Sequence, residues 1–406
     1  MAKYKRAVKP FYSPPSLIVR QLLSALYLGF LVPWKQLPYW LTQGKKTLPT
    51  AAGAIGMGCI GFTIHPVWEI TNACNLMCEQ CHAASGKPLP DELDTQESKR
   101  LLDEIATIDE FRMLALGGGE PLMREDIMEI IDYARWLGLE ISIATNGTLL
   151  TQQMAKDFKK MGVANIAIGL NADAPEIHDR ITRVPGSFHK TREAIYATVE
   201  AGMNLQINTT VMEENFKAIP GLLNFASEVG TQIVLLYHLV SQGRGREEME
   251  LRARSYKESL HMMSQKQQTN KAIIEPVCLP QYWAHLVSKN GTSKLSFRLA
   301  QKFFYGCVAG SGLCYIKPDG EVWACPFIPV AAGNIRHIPL KEIWQNSELF
   351  GNLRNRENLK GNCANCIYRN ICGGCRGRAY AYSGDYLAED PSCLLYRPAL
   401  DEAQTY

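Results

Sequence analysis

The chain has 406 residues, enough for two or three domains and a large buried core, and its 46% apolar and 20% charged residues are ordinary for a globular protein. A net charge of +3, with no dense Lys/Arg cluster interleaved with aromatics, leaves no case for a nucleic-acid partner. Thirteen cysteines are the unusual figure. Eleven of them fall in two tight groups with metal-type spacings, which favours thiolates in a reducing compartment over disulfides. Cys59 and Cys278 stand outside both groups and read as small buried apolar residues.

Residues 1–62 form an apolar N-terminal leader. Lys3, Lys5, Arg6 and Lys9 precede Pro14-Pro15 and a helix-like segment from Leu17 to Val32. Its uninterrupted part, Leu22 to Val32, is about half of the ~20 residues that span a bilayer. No small-residue cleavage site of the signal-peptide kind follows closely. A helix packed on the core and one lying on a membrane surface both fit this pattern. Thr47 to Gly61 is rich in small residues and reads as a lead-in.

From 63 to 245 strand and helix patterns alternate with Gly or Asn at the joints, which predicts an α/β fold with parallel strands and right-handed crossovers. Strands are expected at Ile64–Ile70, Met113–Leu116, Glu140–Ala144, Val163–Leu170, Leu205–Val211 and Ile233–Leu239. Helices are expected at Gln96–Thr107, Arg124–Trp136, Thr151–Lys160, Ser187–Glu200 and Phe216–Glu228. Directly after the first strand comes Cys74-Asn75-Leu76-Met77-Cys78-Glu79-Gln80-Cys81, a C-x3-C-x2-C motif. Three thiolates so close together suit three irons of a 4Fe–4S cube and leave the fourth iron open to a small molecule. A zinc knuckle is the competing reading, but its fourth ligand would be His82, directly after Cys81, in a strained tetrahedron. One βα unit later stands Gly118-Gly119-Glu120-Pro121, which by itself also makes an ordinary strand-to-helix turn. Polar residues at strand ends line the mouth of a βα barrel. Asn146, Asn171, Asn208, Thr210 and His238 are therefore candidates for cofactor or substrate contact, or else cap strand-end backbone. Arg244 and Arg246, flanked by Gly243 and Gly245, suit bidentate grip on carboxylates or a solvated loop.

Residues 246–305 read as a helical bridge, with a polar helix over Glu247 to Thr269 and no legible motif after it. From 306 to 397 eight cysteines follow: Cys307, Cys314 and Cys325, then Cys363, Cys366, Cys372, Cys375 and Cys393. Eight suit two further cubes, or two zinc sites. Asp319-Gly320 makes a turn expected to bring Cys314 and Cys325 together across a hairpin. Residues 398–406 are a tail.

The cysteine triplet followed by Gly118-Gly119-Glu120-Pro121 resembles the radical S-adenosylmethionine (SAM) enzymes. The resemblance implies an open partial (βα)6 barrel. It also implies a 4Fe–4S cluster on Cys74, Cys78 and Cys81 whose open iron binds S-adenosyl-L-methionine and cleaves it to a 5′-deoxyadenosyl radical. It places Gly118, Gly119, Glu120 and Pro121 at the SAM amino group and Arg183 at its carboxylate. Gln80 stands where this family usually carries an aromatic residue. The second group is similar to the SPASM domain, a small cysteine-rich auxiliary-cluster domain. That likeness implies one cluster on Cys307, Cys314, Cys325 and Cys375 and another on Cys363, Cys366, Cys372 and Cys393. The interval from Cys372 to Cys375 is two residues where three are common.

A narrower resemblance lies between the cysteines. Gly306 to Ile316, Cys325-Pro-Phe-Ile-Pro-Val-Ala-Ala-Gly-Asn334 and Cys372 to Pro391 look like the tetrapyrrole branch, which includes enzymes of heme d1 and alternative heme biosynthesis. The likeness covers roughly 63 to 397. It implies an oxidoreductase or lyase that oxidatively modifies a tetrapyrrole side chain, with His238, Arg244 and Arg246 as substrate contacts. The alternative is a SPASM-type maturase that oxidises or crosslinks a peptide or protein side chain. A reductase, ferredoxin or flavodoxin is the implied electron donor. The implied location is cytoplasmic, and of the leader's two readings the membrane-surface helix would add a contact with a membrane.

Overall fold

On the second to fifth barrel strands one row of side chains is mostly branched and apolar while the other is mostly small or polar, and this alternation decides which face becomes core. The computed structural model describes residues 65–111, 113–289, 297 and 306–394. The leader with its Leu17 to Val32 segment, Cys59, most of 290–305 and the tail 398–406 lie outside the described residues. Seven parallel strands follow one another: β1 (His65–Glu69), β2 (Met113–Gly117), β3 (Glu140–Thr145), β4 (Asn165–Gly169), β5 (Asn204–Val211), β6 (Ile233–His238) and β7 (Ile273–Val277). Leu114, Leu116, Ile141, Ile143, Ile166, Ile168 and Ile207 make the outer row and are fully buried. Each such side chain contributes roughly 1.5–3 kcal/mol on leaving water. The inner row holds Ala115, Gly117, Ser142, Ala144, Ala167 and Gly169. Where a closed barrel fills its centre with large side chains, these small ones leave a cavity of about 350 Å³.

The six expected strands are present within a residue or two. The helix Thr95–Thr107 starts at a capping box of Asp94 and Glu97, and Ser187–Glu200 matches the expected span. Two elements differ from expectation. The helix Pro175–Thr182 falls in a polar stretch too short to carry a clear period. Strand β7 lies inside the supposed helical bridge and carries Pro276; among the described residues it pairs only with β6 and so tolerates a residue without an N–H. The helices Ala253–Thr269 and Gln281–Lys289 flank it.

The C-terminal segment extends the same sheet rather than standing apart. Strand β8 (Leu313–Ile316) pairs in parallel with β1, placing Tyr315 beside Val67. Antiparallel β9 (Glu321–Trp323) and β10 (Gly333–Asn334) complete the order β10-β9-β8-β1-β2-β3-β4-β5-β6-β7. Gly320, at φ +83°, makes the turn between β8 and β9. Arg336 then grips both carboxylate oxygens of Glu97 at 2.8 and 3.0 Å, fastening this segment to the first barrel helix. Among the described residues no helix is long and apolar enough to cross a membrane.

Candidate active site

The loop after β1 is pinned on three sides. It closes on itself where the N–H of Cys74 donates to the Gly86 carbonyl and that of Gly86 to the Asn72 carbonyl, both at 3.0 Å. The N–H groups of Met77 and Glu79 donate to the carbonyls of Thr182 and Ile181 at the end of the helix Pro175–Thr182. Arg244 supplies the third anchor. Its Nε donates to the Cys78 carbonyl and its Nη1 to the Ser85 carbonyl, each at 2.8 Å, and its own N–H reaches the Cys81 carbonyl. The arginine read as a substrate contact is thus occupied as a clamp on the cysteine loop. Arg246 pairs with Glu248 at 2.6 Å on an exposed surface, the solvated-loop alternative. Gly243 is required beneath this clamp, because a Cβ there would sit 2.2 Å from the His82 carbonyl oxygen.

Cys74, Cys78 and Cys81 are free thiols gathered at the barrel mouth. Burial, and then the charges of Cys81 and Cys74, push Cys78 up to about 12. Thiols that oppose one another's ionisation in this way are a donor set for a cationic group, whose binding would reverse the penalty. Among the described residues no three His, Cys, Asp or Glu side chains converge where they would hold a single ion.

Gly118 and Gly119 bring the end of β2 against this loop. At φ +123°, Gly118 would place a Cβ 2.3 Å from the Thr71 carbonyl oxygen, and Gly119 would place one 2.2 Å from that of Ala73. The Gly119 and Glu120 N–H groups donate to these same carbonyls at 2.8 and 2.7 Å. Only a residue without a side chain fits there. Pro121 opens a single 3₁₀ turn. Glu120 is fully buried and does not face the cavity: it accepts from Thr145 Oγ1 at 2.7 Å, the Asn146 N–H at 2.8 Å and the Leu122 N–H at 3.1 Å. Its carboxylate therefore joins the ends of β2 and β3 instead of reaching outward.

Asn146, Asn171, Asn208, Thr210 and His238 all line the cavity, as does Gly118. Asn146 Nδ2 donates to Asn75 Oδ1 at 2.9 Å and lies 4.0 Å from Cys74 Sγ. Asn171 Oδ1 accepts from Gln80 at 3.4 Å, so the amide standing where an aromatic is usual meets a polar partner across the cavity. His238 Nε2 lies 2.9 Å from Ser259 Oγ, and burial pushes the imidazole down to about 3, leaving it neutral at pH 7. Arg183, at φ +59°, pairs with Glu79 at 3.1 Å on the outer side of the cysteine loop and does not line the cavity.

Sequence reasoning missed the wall opposite. His82 Nε2 lies 3.1 Å from Tyr315 Oη and 3.5 Å from Glu69 Oε1, with the Phe327 ring 5.4 Å away. Tyr315 and Phe327 come from the C-terminal segment, so that segment closes the cavity on the β1 side. The signal available was strand alternation in β8, which puts Leu313 and Tyr315 on one face and Cys314 on the other.

The C-terminal thiols form two sets. Cys363, Cys366, Cys372 and Cys393 all line one groove of about 820 Å³, and Cys372 is pushed up by burial and then by Asp390, Cys363 and Cys393. In the other, Cys307 and Cys325 feel the charge of Cys375, and Cys325 that of Cys307. Cys314 does not join them. It is fully buried in the main apolar core, and the expected approach of Cys314 to Cys325 across the hairpin fails because Cys314 points to the far face of β8. Cys278, read as a small buried apolar residue, is also hydrogen-bonded to Cys375.

Comparisons agree with this geometry. The sequence profile of the radical SAM superfamily matches residues 68–226, and that of an iron–sulfur cluster-binding domain, SPASM, matches 307–367. The chain is 38% identical over 338 residues to the AdoMet-dependent heme synthase of Methanosarcina barkeri, covering 82% of this chain and 96% of that one. It is 30% identical over 349 residues to the Fe-coproporphyrin III synthase of the same organism, covering 81% and 87%. The crystal structure of Streptococcus suis SuiB with its precursor peptide SuiA superposes with a TM-score of 0.64 at 17% identity, covering 88% of this chain and 81% of that one.

Proposed function

This chain belongs to the radical SAM superfamily and carries its SPASM iron–sulfur domain, and from that membership we propose that it is a heme-biosynthesis enzyme acting on a tetrapyrrole side chain. The similarity to the heme synthase, running through both cysteine groups, carries this reading. Its cofactors are S-adenosyl-L-methionine, the SAM-binding 4Fe–4S cluster and auxiliary clusters. Cys74, Cys78 and Cys81 would hold the SAM-binding cluster. When bound, these groups supply a 5′-deoxyadenosyl radical that takes one hydrogen atom from the substrate arm and an auxiliary acceptor for the electron left behind.

The protein's own part is placement. Arg244, Gly118 and Gly119 fix the cysteine loop against the barrel mouth. At about 350 Å³ the cavity is near the lower limit of small-molecule pockets, which suits an inserted arm with the macrocycle at the mouth. With Arg244 committed to the loop, a carboxylate arm meets neutral donors instead: Gln80, Thr210 and the Tyr315 hydroxyl. The C-terminal wall excludes water from that arm. The electron donor is a reductase, ferredoxin or flavodoxin, and the location is cytoplasmic.

The test is anaerobic turnover with SAM and a reductant against a panel of iron tetrapyrroles and a peptide library, followed by mass spectrometry. A mass change in a carboxylate-bearing tetrapyrrole is expected. A change confined to peptides would replace this reading with that of a peptide maturase.

A further inference from the structure

We propose that Cys278, and not Cys314, is the fourth thiolate beside Cys307, Cys325 and Cys375, so that this auxiliary iron–sulfur site spans the last barrel strand and the C-terminal domain. The proposal rests on the SPASM reading above but not on the identity of the substrate. Cys278 follows β7 by one residue and sits at φ +60°, a left-handed conformation that strains a non-glycine residue. The surroundings enforce it. Arg378 donates from Nη1 to the Cys278 carbonyl at 3.0 Å, and its backbone N–H lies 3.4 Å from Cys375 Sγ. The same guanidinium reaches the Leu239 carbonyl at the end of β6, Glu250 at 3.3 Å and Asp390 at 3.8 Å. Asp390 in turn accepts the Cys375 N–H at 2.6 Å. One fully buried cation thus fixes both cysteines in place.

The thiols themselves meet. Cys278 and Cys375 are hydrogen-bonded, and Cys278 also feels the charge of Cys325. Cys307 completes the group through Cys375, with its carbonyl held by Arg356 at 2.6 Å. Cys314 instead lies fully buried in the main apolar core. A four-thiolate cube needs one more ligand than the C-terminal segment brings together, and the barrel supplies it. Because β7 pairs with β6, whose Tyr237 and His238 line the cavity, filling this site also fixes that cavity wall.

The test compares anaerobically reconstituted wild type with Cys278→Ala, Cys278→Ser and Cys314→Ala, reading iron and sulfide per chain and the EPR spectrum of the reduced protein. Wild type is expected to carry about twelve irons, and Cys278→Ala to lose about four of them or to hold a three-iron cluster. Cys278→Ser, with a weaker oxygen ligand, is expected to keep the irons with an altered spectrum. Cys314→Ala is expected to retain the wild-type count and spectrum. Circular dichroism and SAM binding check each fold independently of tetrapyrrole turnover. A folded Cys278→Ala with full iron and an unchanged spectrum would overturn the proposal. So would loss of auxiliary iron in a folded Cys314→Ala.

Discussion

Cys78→Ala is expected to cut SAM cleavage to the level of an enzyme-free control and to remove about four irons from the reconstituted protein. The expectation follows from how little redundancy the loop contains. Cys74, Cys78 and Cys81 are three thiols for three corners, and His82, the nearest further donor, is turned toward Tyr315 and Glu69. Cys78 is also the member whose carbonyl the Arg244 guanidinium holds, so its position is fixed before any metal arrives. The C-terminal irons, held by cysteines elsewhere in the fold, should stay. Chromatographic assay of 5′-deoxyadenosine with parallel iron analysis measures both outcomes. Retained cleavage would remove this loop from the catalytic centre.

The second large effect should divide the reaction. Cys363→Ala combined with Cys366→Ala is expected to leave 5′-deoxyadenosine formation intact while modified tetrapyrrole falls to a small fraction of wild type. Radical formation needs the first cluster, SAM and one electron, whereas a closed-shell oxidised product also needs an acceptor for the electron left on the substrate. Cys363 and Cys366 line the groove shared with Cys372 and Cys393, away from the barrel cavity, so their loss spares the SAM site. Loss of a structural metal also loosens a domain. Circular dichroism and retained SAM binding separate that effect from a lost acceptor. A folded double variant with normal product yield would make this group structural.

What could be read in the sequence was local. The C-x3-C-x2-C spacing, the Gly118-Gly119 pair and the two-residue period of β1 to β6 are written within a few positions of one another. Facing across distance is not. Spacing puts Cys314 with the C-terminal group and Cys278 outside it, whereas Cys314 lies in the apolar core and Cys278 stands at a left-handed bend directly after β7. Pro276 disguised an edge strand. Arg244 looked like a free cation because the carbonyls of Cys78 and Ser85 that occupy it lie more than 150 positions away. Glu120 is of a type that usually seeks solvent, yet Thr145 and Asn146 hydrogen-bond its carboxyl group in full burial. The His82, Tyr315 and Glu69 wall joins residues from both ends of the described chain, and no sequence period connects them.

The central claim is that the radical formed at the barrel mouth takes its hydrogen from a tetrapyrrole arm placed in the cavity. Turnover with an iron tetrapyrrole deuterated on its carboxylate arms tests it most directly, because the label reports the atom transferred. The account predicts one deuterium in 5′-deoxyadenosine for each arm modified, read by mass spectrometry alongside the tetrapyrrole product. Unlabelled 5′-deoxyadenosine accompanying an unchanged tetrapyrrole, with deuterium transfer seen instead from a labelled peptide, would contradict it.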